Sequence, residues 1–129
     1  MSTPTRIQRR RTRGWRAPDG AVYVGRGTVW GNPYAVVRQA DGLYGIPDPI
    51  DSLGPWATFD HERDARGEAV LLFRGWLDER PKLVDRARRE LAGRDLMCWC
   101  PLPEPGEPDH CHAAVLLRLA NGGAAHECR

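Results

Sequence analysis

The segment DLMCWCPLPEPGEPDHCHAAVLLRLAN, residues 95–121, constrains the fold more than any other part of the chain. It opens with a short apolar run, DLMCWC, which is typical of a buried strand. Residues 101–110 contain four prolines and predict a loop. The apolar residues that follow have helical spacing up to Leu119, and Asn121-Gly122-Gly123 ends the pattern. A strand, a loop and a helix in this order predict an α/β unit.

The rest of the chain supplies elements of the same kind. A short β-branched and aromatic run predicts a strand over residues 21–25, and Ala40-Asp41-Gly42 divides residues 34–46 into a hairpin. Apolar residues at helical spacing predict helices over 60–79 and 81–92, the second with Pro81 in its first turn. The predicted fold class is α/β, a small single-domain Rossmann-like three-layer or two-layer sandwich with a mixed, mainly parallel sheet. The strands 21–25 and 95–100 are the expected central neighbours.

The chain has a basic beginning and a mildly acidic body. Its net charge is +2, yet residues 1–16 carry six arginines and no acid, so the remainder has a balance of −4. We therefore divide the chain into a basic N-terminal arm (1–16), one α/β domain (17–123) and a C-terminal tail (124–129). A basic arm suits a phosphate-bearing partner, so Arg6 to Arg16 are candidates for contact with nucleic acid. A solvated tail is the simpler alternative.

The composition indicates an ordinary globular protein. Hydrophobic residues make up 41% and charged residues 28% of the chain. No apolar run approaches the ~18 residues of a membrane span, and the basic start has no apolar stretch behind it, so we expect neither membrane association nor a signal peptide. The expected location is the cytoplasm, where thiols stay reduced and a cysteine cluster indicates metal binding or chemistry. The oligomeric state is left open.

Three of the four cysteines and two of the four histidines lie between Cys98 and His112. Residues two apart in a strand share a face, so Cys98 and Cys100 point together. The loop returns the chain to Cys111 and His112. These four side chains could complete a tetrahedral zinc site, which makes zinc the candidate cofactor. Against this, zinc ribbons and fingers use C-x2-C spacing, and neighbouring side chains such as Cys111 and His112 normally diverge.

A catalytic role is the alternative for the same residues. A strand that leads into a helix N-terminus is where open α/β sheets bind ligands, and the free N–H groups there favour an anion. The electrostatic field of the helix N-terminus would also activate Cys111 or Cys98 as a nucleophile, with His112 as acid or base. No pair of acidic residues stands out as a base. Small buried cysteines with a capping histidine are the third interpretation.

A second site element follows the strand at 21–25. Arginine can bind a phosphate or carboxylate, tryptophan can stack on a base, glycine lets a ligand approach the backbone, and asparagine can contact a base edge or a ribose. No Walker loop or G-x-G-x-x-G is present. The candidate ligand-binding residues are Trp15, Arg16, Arg26, Trp30, Gly31, Asn32 and Cys100.

These observations predict a protein that binds a nucleotide- or nucleoside-like anionic ligand. Hydrolysis or transfer at the ligand's glycosidic or phosphate linkage is the activity that such a site would allow, and whether the protein is an enzyme is left open. The alternatives are a zinc-stabilised module and a nucleic-acid-binding accessory protein that uses the arginine-rich arm.

Three separated motifs, GWRAPDGAVYVGRGTVWGNP, LAGRDLMCWCPL and CHAAVLLRLAN, resemble in this order the DUF4326 family, a domain of unknown function. The resemblance covers residues 6–121. It implies a small α/β domain from bacteria, notably actinobacteria, or their phages, and it implies no established activity. The link PLPEPGEPDH between the Cys-Trp-Cys and Cys-His pieces is longer here than is usual in the family.

Overall fold

The computed structural model describes residues 3–49 and 57–122. The elements in chain order are β1 (Arg6–Gln8), β2 (Val22–Tyr23), β3 (Val37–Arg38), β4 (Tyr44–Gly45), β5 (Thr58–Phe59), α1 (Glu62–Asp78), α2 (Pro81–Glu90), β6 (Leu96–Cys98) and α3 (His112–Ala120). The structure is therefore a mixed α/β fold with three helices and two small sheets among the described residues.

The first sheet is parallel and has the strand order β1-β6-β2. Val22 pairs with Leu96 and Tyr23 with Met97, so the predicted strands at 21–25 and 95–100 do lie side by side. All three residues of β6 are buried, which explains its continuously apolar sequence. Because the strands are parallel, their carboxyl ends meet at one edge of the sheet.

The second sheet is antiparallel, with the order β3-β4-β5. The predicted hairpin is confirmed, since β3 pairs with β4 across a turn in which Gly42 has a φ of 87°. The expected single mixed sheet is wrong: the hairpin forms its own sheet with β5, a strand that lies where the sequence indicates only irregular chain. The sequence does not predict β5 because this strand has only two residues, too few to show the alternation of a strand.

The three helices enclose the core beside the parallel sheet. The helix α1 buries one stripe, Ala65, Ala69, Val70, Phe73 and Leu77. The helix α2 begins with Pro81 as expected, because proline needs no intrahelical N–H partner in the first turn. The helix α3 is buried over most of its surface and packs against β6, β1 and the other two helices. The three cysteines of the described ranges are free thiols, so none of them supports this core through a disulfide.

The N-terminal boundary differs from the predicted one. Residues 6–8 form β1, which pairs in register with β6 from Arg6 opposite Leu96 to Gln8 opposite Cys98. The basic arm of residues 1–16 is therefore part of the sheet at 6–8. The sequence does not predict this strand, because Ile7 is its only apolar residue. The predicted tail at 124–129 lies outside the described residues.

None of the helices in the described ranges combines the length and the hydropathy that crossing a bilayer requires.

Candidate functional site

The carboxyl ends of the parallel strands open onto a cleft of about 580 Å³. The chain leaving β2 supplies one side of it and the chain leaving β6 supplies another, while the hairpin sheet and α1 complete the walls. This is the edge at which open α/β sheets bind ligands. The chemically active lining residues are Tyr23, Arg26, Asn32, Tyr34, Arg38, Tyr44, Glu62, Arg66, Cys98, Trp99, Cys100, His110, Cys111 and His112.

Three cysteine sulfurs meet at the floor of the cleft. The Sγ atoms of Cys98, Cys100 and Cys111 all lie within 4.8 Å of one another, and those of Cys98 and Cys100 are 3.6 Å apart. Cys98 is the last residue of β6, and Cys100 follows on the same side, as the alternation of a strand predicts. Cys111 arrives from the other end of the loop. We name these three residues together with His112 the Cys–His cluster.

The thiols of the cluster share their protons unequally. Hydrogen bonds donated by Cys100 and then by Cys111 stabilise a thiolate at Cys98 and lower its pKa far below the ordinary value. The contacts with Cys100 and Cys98, together with burial, raise the pKa of Cys111 above the ordinary value. Of these two thiols, Cys98 is therefore the one that loses its proton more readily.

His112 is buried and has a defined tautomer. Its Nε2 lies 2.7 Å from the carbonyl oxygen of Val24, which can only accept, so Nε2 carries the hydrogen. Its other nitrogen, Nδ1, lies 3.9 Å from the Sγ of Cys111. Phe73 packs edge-on against the ring, with the centroids 5.4 Å apart. The imidazole thus connects α3 to the end of β2 and turns its free nitrogen toward the sulfurs.

Arg6 holds the loop that connects the two halves of the cluster. Its guanidinium donates to the carbonyl oxygens of Cys100 (2.9 Å) and Pro101 (2.6 Å) and forms a two-pronged ion pair with Asp109. The arginine side chain is 4% exposed and the aspartate side chain 19%. Burial opposes the charged form of Arg6, but its hydrogen bond to Asp109 and the nearby cysteines raise its pKa overall. This residue is therefore structural and is not available to nucleic acid.

A second group of residues that line the cleft is basic and aromatic. Arg26, Arg38 and Arg66, which we name the basic wall, line it together with three tyrosines. Arg26 and Arg38 are exposed and form no salt bridge with any described residue. The Nε of Arg66 is buried without a hydrogen-bond partner in the described part of the chain, because Glu62 lies 3.8 Å away. The wall therefore carries uncompensated positive charge.

The structure separates the predicted site residues into two groups. Arg26 and Asn32 line the same cleft as Cys98, Cys100, Cys111 and His112. The other four candidates, Trp15, Arg16, Trp30 and Gly31, do not line it.

Two of the candidate residues have structural tasks. Trp30 is 6% exposed and belongs to the hydrophobic core, where Arg86 stacks on its ring. Asn32 donates from Nδ2 to the carbonyl of Ala69 (3.1 Å) and accepts from the N–H of Tyr34 (2.9 Å). Its amide thus ties the loop after β2 to α1. Between these two residues the backbone is closely packed, since a Cβ added at Gly31 would lie 3.0 Å from the carbonyl oxygen of Gly25.

Several cleft residues had no signal in the sequence. Tyr34, Arg38 and Tyr44 come from the hairpin, and Glu62 and Arg66 come from the first turns of α1. They reach the cleft only because the second sheet contacts α1, which packs against α3. For Tyr23 a signal existed: it is the last residue of β2, directly before the loop that carries Arg26.

At the cleft margin, arginines stack on exposed aromatic rings. The guanidinium of Arg9 lies 4.8 Å from the ring centroid of Tyr23 and 5.1 Å from that of Trp99, and Arg11 lies 4.6 Å from Trp99. Such contacts orient cations over ring faces. The arm after β1 therefore runs along the cleft margin instead of projecting away from it.

Comparison with known proteins gives a family and no activity. No curated protein and no solved structure matches the chain. The family model of DUF4326, described as a domain of unknown function, matches residues 7–122. That match spans most of the chain and includes both sides of the cleft, and the chain therefore belongs to the DUF4326 family.

Proposed function

We propose that the cleft binds a nucleotide- or nucleoside-like anionic ligand. The observation that carries the proposal is the basic wall, whose three arginines outnumber the described acidic residues that line the same cleft. Glu62 is the one carboxylate among the described lining residues, and it lies 3.8 Å from Arg66. Three guanidiniums against one carboxylate leave a net positive charge for a phosphate or carboxylate to neutralise.

The buried Nε of Arg66 strengthens the argument for an anion. A buried donor without a partner costs free energy, so native structures leave few of them. An anionic oxygen in the cleft would accept from this nitrogen. Arginine suits the task because its planar fork presents parallel N–H groups to phosphate or carboxylate oxygens.

The aromatic lining supports a ring in the ligand. Tyr23, Tyr34 and Tyr44 line the cleft, and Trp99 stands at its margin. Rings of this kind stack on a base, and the cleft volume of about 580 Å³ is in the range of small-molecule sites. A phosphate at the basic wall with a base among the tyrosines describes a nucleotide.

The parallel sheet and the helix after β6 are a framework that suits a nucleotide-binding site. The parallel sheet, with α3 following β6, supports a Rossmann-like sandwich as the basis of the site. An activity at the ligand's glycosidic or phosphate linkage would use Cys98 or Cys111 as nucleophile and His112 as acid or base. The buried sulfurs and the engaged Nε2 of His112 favour binding as the primary function.

A thermal-shift series tests the proposal. The probes are AMP, ADP, adenosine, ribose 5-phosphate and inorganic phosphate. A ligand at 100 times its dissociation constant stabilises the folded state by ~2.7 kcal/mol, which raises the melting temperature by about 10 °C in a domain of this size. We expect a 5′-nucleotide to give the largest shift, with adenosine and ribose 5-phosphate each giving less because each lacks one half of the contacts. No shift with any of the five probes would overturn the proposal.

A further inference from the structure

We propose that Cys98, Cys100, Cys111 and His112 bind one structural zinc ion. This site is separate from the proposed nucleotide-binding contacts of the basic wall, and it forms the floor of the same cleft. The inference depends on the positions of four ligand atoms and on the hydrogen bond that orients the histidine.

The separations of the ligand atoms resemble the edges of a zinc tetrahedron. Zn–S bonds of about 2.3 Å and Zn–N bonds of about 2.0 Å place two sulfurs ~3.8 Å apart and a sulfur and a nitrogen ~3.5 Å apart. The observed distances are 3.6 Å between the Sγ atoms of Cys98 and Cys100 and 3.9 Å between the Sγ of Cys111 and the Nδ1 of His112. The three sulfurs lie within 4.8 Å of one another, whereas His112 lies near Cys111 but outside that group of three. A shift of about 1 Å would bring the sulfurs around one ion, and a larger shift of His112 would complete the tetrahedron.

His112 makes the additional hydrogen bond that zinc-binding histidines make. A metal-ligating imidazole almost always donates its other N–H to a carbonyl or carboxylate, which fixes the tautomer and the ring orientation. The Nε2–H of His112 donates to the carbonyl of Val24 at 2.7 Å. In neutral His112 the lone pair therefore belongs to Nδ1, the nitrogen that faces Cys111.

The start of α3 explains how adjacent residues can bind the same ion. In a regular strand or helix the side chains of neighbours diverge. Cys111 is the N-cap, with extended backbone angles of −136° and 137°, and His112 is the first helical residue. The change of conformation between them turns both side chains to the same side.

The surroundings compensate the charge of the ligands. Three thiolates and Zn²⁺ together carry one negative charge. The guanidinium of Arg6 is buried beside the cluster, and it interacts electrostatically with Cys100 and Cys111. It also fixes the carbonyl of Cys100 directly. This residue would act as a positioning group for the ligand set.

A zinc ion here would connect three parts of the fold: β6 through Cys98, α3 through Cys111 and His112, and the end of β2 through the carbonyl of Val24. With four protein ligands the coordination is closed, as in structural sites. The thiolates would then be unavailable for covalent catalysis.

The test begins with wild-type protein purified without chelator and analysed for metals by mass spectrometry. We expect one zinc per chain. Iodoacetamide labelling followed by mass analysis should modify only Cys128 in this protein and all four cysteines after EDTA treatment. The labelling needs no variant, so it remains decisive even if a ligand substitution prevents folding.

Matched variants then identify the ligands. Cys98→Ser and Cys111→Ser should lose at least nine tenths of the zinc, whereas Cys128→Ser should keep it. His112→Asn should lose zinc and His110→Asn should not, because His110 lines the cleft without a described contact to the sulfurs. Cobalt in place of zinc should give the visible bands of a tetrahedral thiolate site.

Three results would overturn the proposal. They are a metal-free protein whose four thiols react equally with and without EDTA, iron in place of zinc, and a Cys128→Ser or His110→Asn variant that loses the metal. The Arg26→Ala variant separates this proposal from the nucleotide proposal, since it should weaken nucleotide binding and keep the zinc.

Discussion

The two sides of the cleft differ in how far their polar groups are already satisfied. In the Cys–His cluster, the sulfurs contact one another, His112 donates to Val24, and Arg6 pairs with Asp109. In the basic wall, Arg26 and Arg38 are exposed without salt bridges to described residues. One side is buried and connected, and the other is open and charged.

This difference separates stability from recognition. Removing a member of a buried, connected group leaves its partners desolvated, so the cost appears in the free energy of unfolding. Removing an exposed guanidinium without a partner costs the fold little. We therefore expect substitutions in the cluster to lower the free energy of unfolding and substitutions in the basic wall to change binding.

Removal of zinc should have the largest effect. Free zinc at 1,000 times its dissociation constant stabilises the folded state by ~4.1 kcal/mol over the chelated protein. Urea unfolding with zinc and with EDTA measures the difference. The Cys98→Ser variant is the control, because its stability should not depend on zinc. Equal midpoints for the wild type in zinc and in EDTA would show that the cluster only packs.

The Arg6→Ala substitution should have the second-largest effect on the free energy of unfolding. It leaves the Asp109 carboxylate largely buried without its partner and frees two carbonyls, at a cost of about 3 kcal/mol. Urea unfolding again gives the value. Arg6→Lys should recover part of the loss, since lysine keeps the charge without the fork. The control Arg10→Ala, an exposed arginine, should stay within about 0.5 kcal/mol of the wild type. If Arg6→Ala lowers the free energy of unfolding no more than this control does, Arg6 contributes no more to stability than a solvated arginine of the arm.

Arg26→Ala and Arg38→Ala should change binding and leave stability alone. Each should weaken a 5′-nucleotide about tenfold, or ~1.4 kcal/mol, as measured by isothermal titration calorimetry. Their unfolding midpoints in urea should match the wild type. Arg16→Ala is the matched control, because Arg16 is exposed and lies outside the cleft lining. Equal losses of affinity in all three variants would mean that the nucleotide responds to the overall positive charge of the protein and not to a specific site.

The smallest effect is expected from the arm beyond β1. The double variant Arg10→Ala/Arg13→Ala should bind the 5′-nucleotide within about twofold of the wild type. In free energy this is about 0.4 kcal/mol, against ~1.4 kcal/mol for a contacting arginine. Both residues are exposed and outside the cleft lining. The same variant tests the nucleic-acid alternative. If the arm binds a single-stranded oligonucleotide, the slope of log affinity against log salt should fall by about one for each arginine removed.

Much of the helical structure could be predicted from the sequence. The apolar stripe of α1, the proline at the start of α2 and the apolar run of α3 each report local geometry that a single segment contains. The pairing of β2 with β6 was also predictable, because each strand lies in a short apolar or β-branched run that leads into a loop with candidate site residues. The strand β1 was not predictable, since its burial depends on Arg6 meeting Asp109 across 103 positions.

The candidate site shows the same division. By itself, the sequence determined that Cys98 and Cys100 share a face and that Cys111 and His112 stand at a helix start, because side-chain alternation and helix capping are local properties. Only the tertiary structure decided that Trp30 is core, that the hairpin supplies Arg38, Tyr34 and Tyr44, and that His112 turns Nδ1 to the sulfurs. These outcomes depend on contacts between segments far apart in the chain, and no local pattern encodes which segments will pack together.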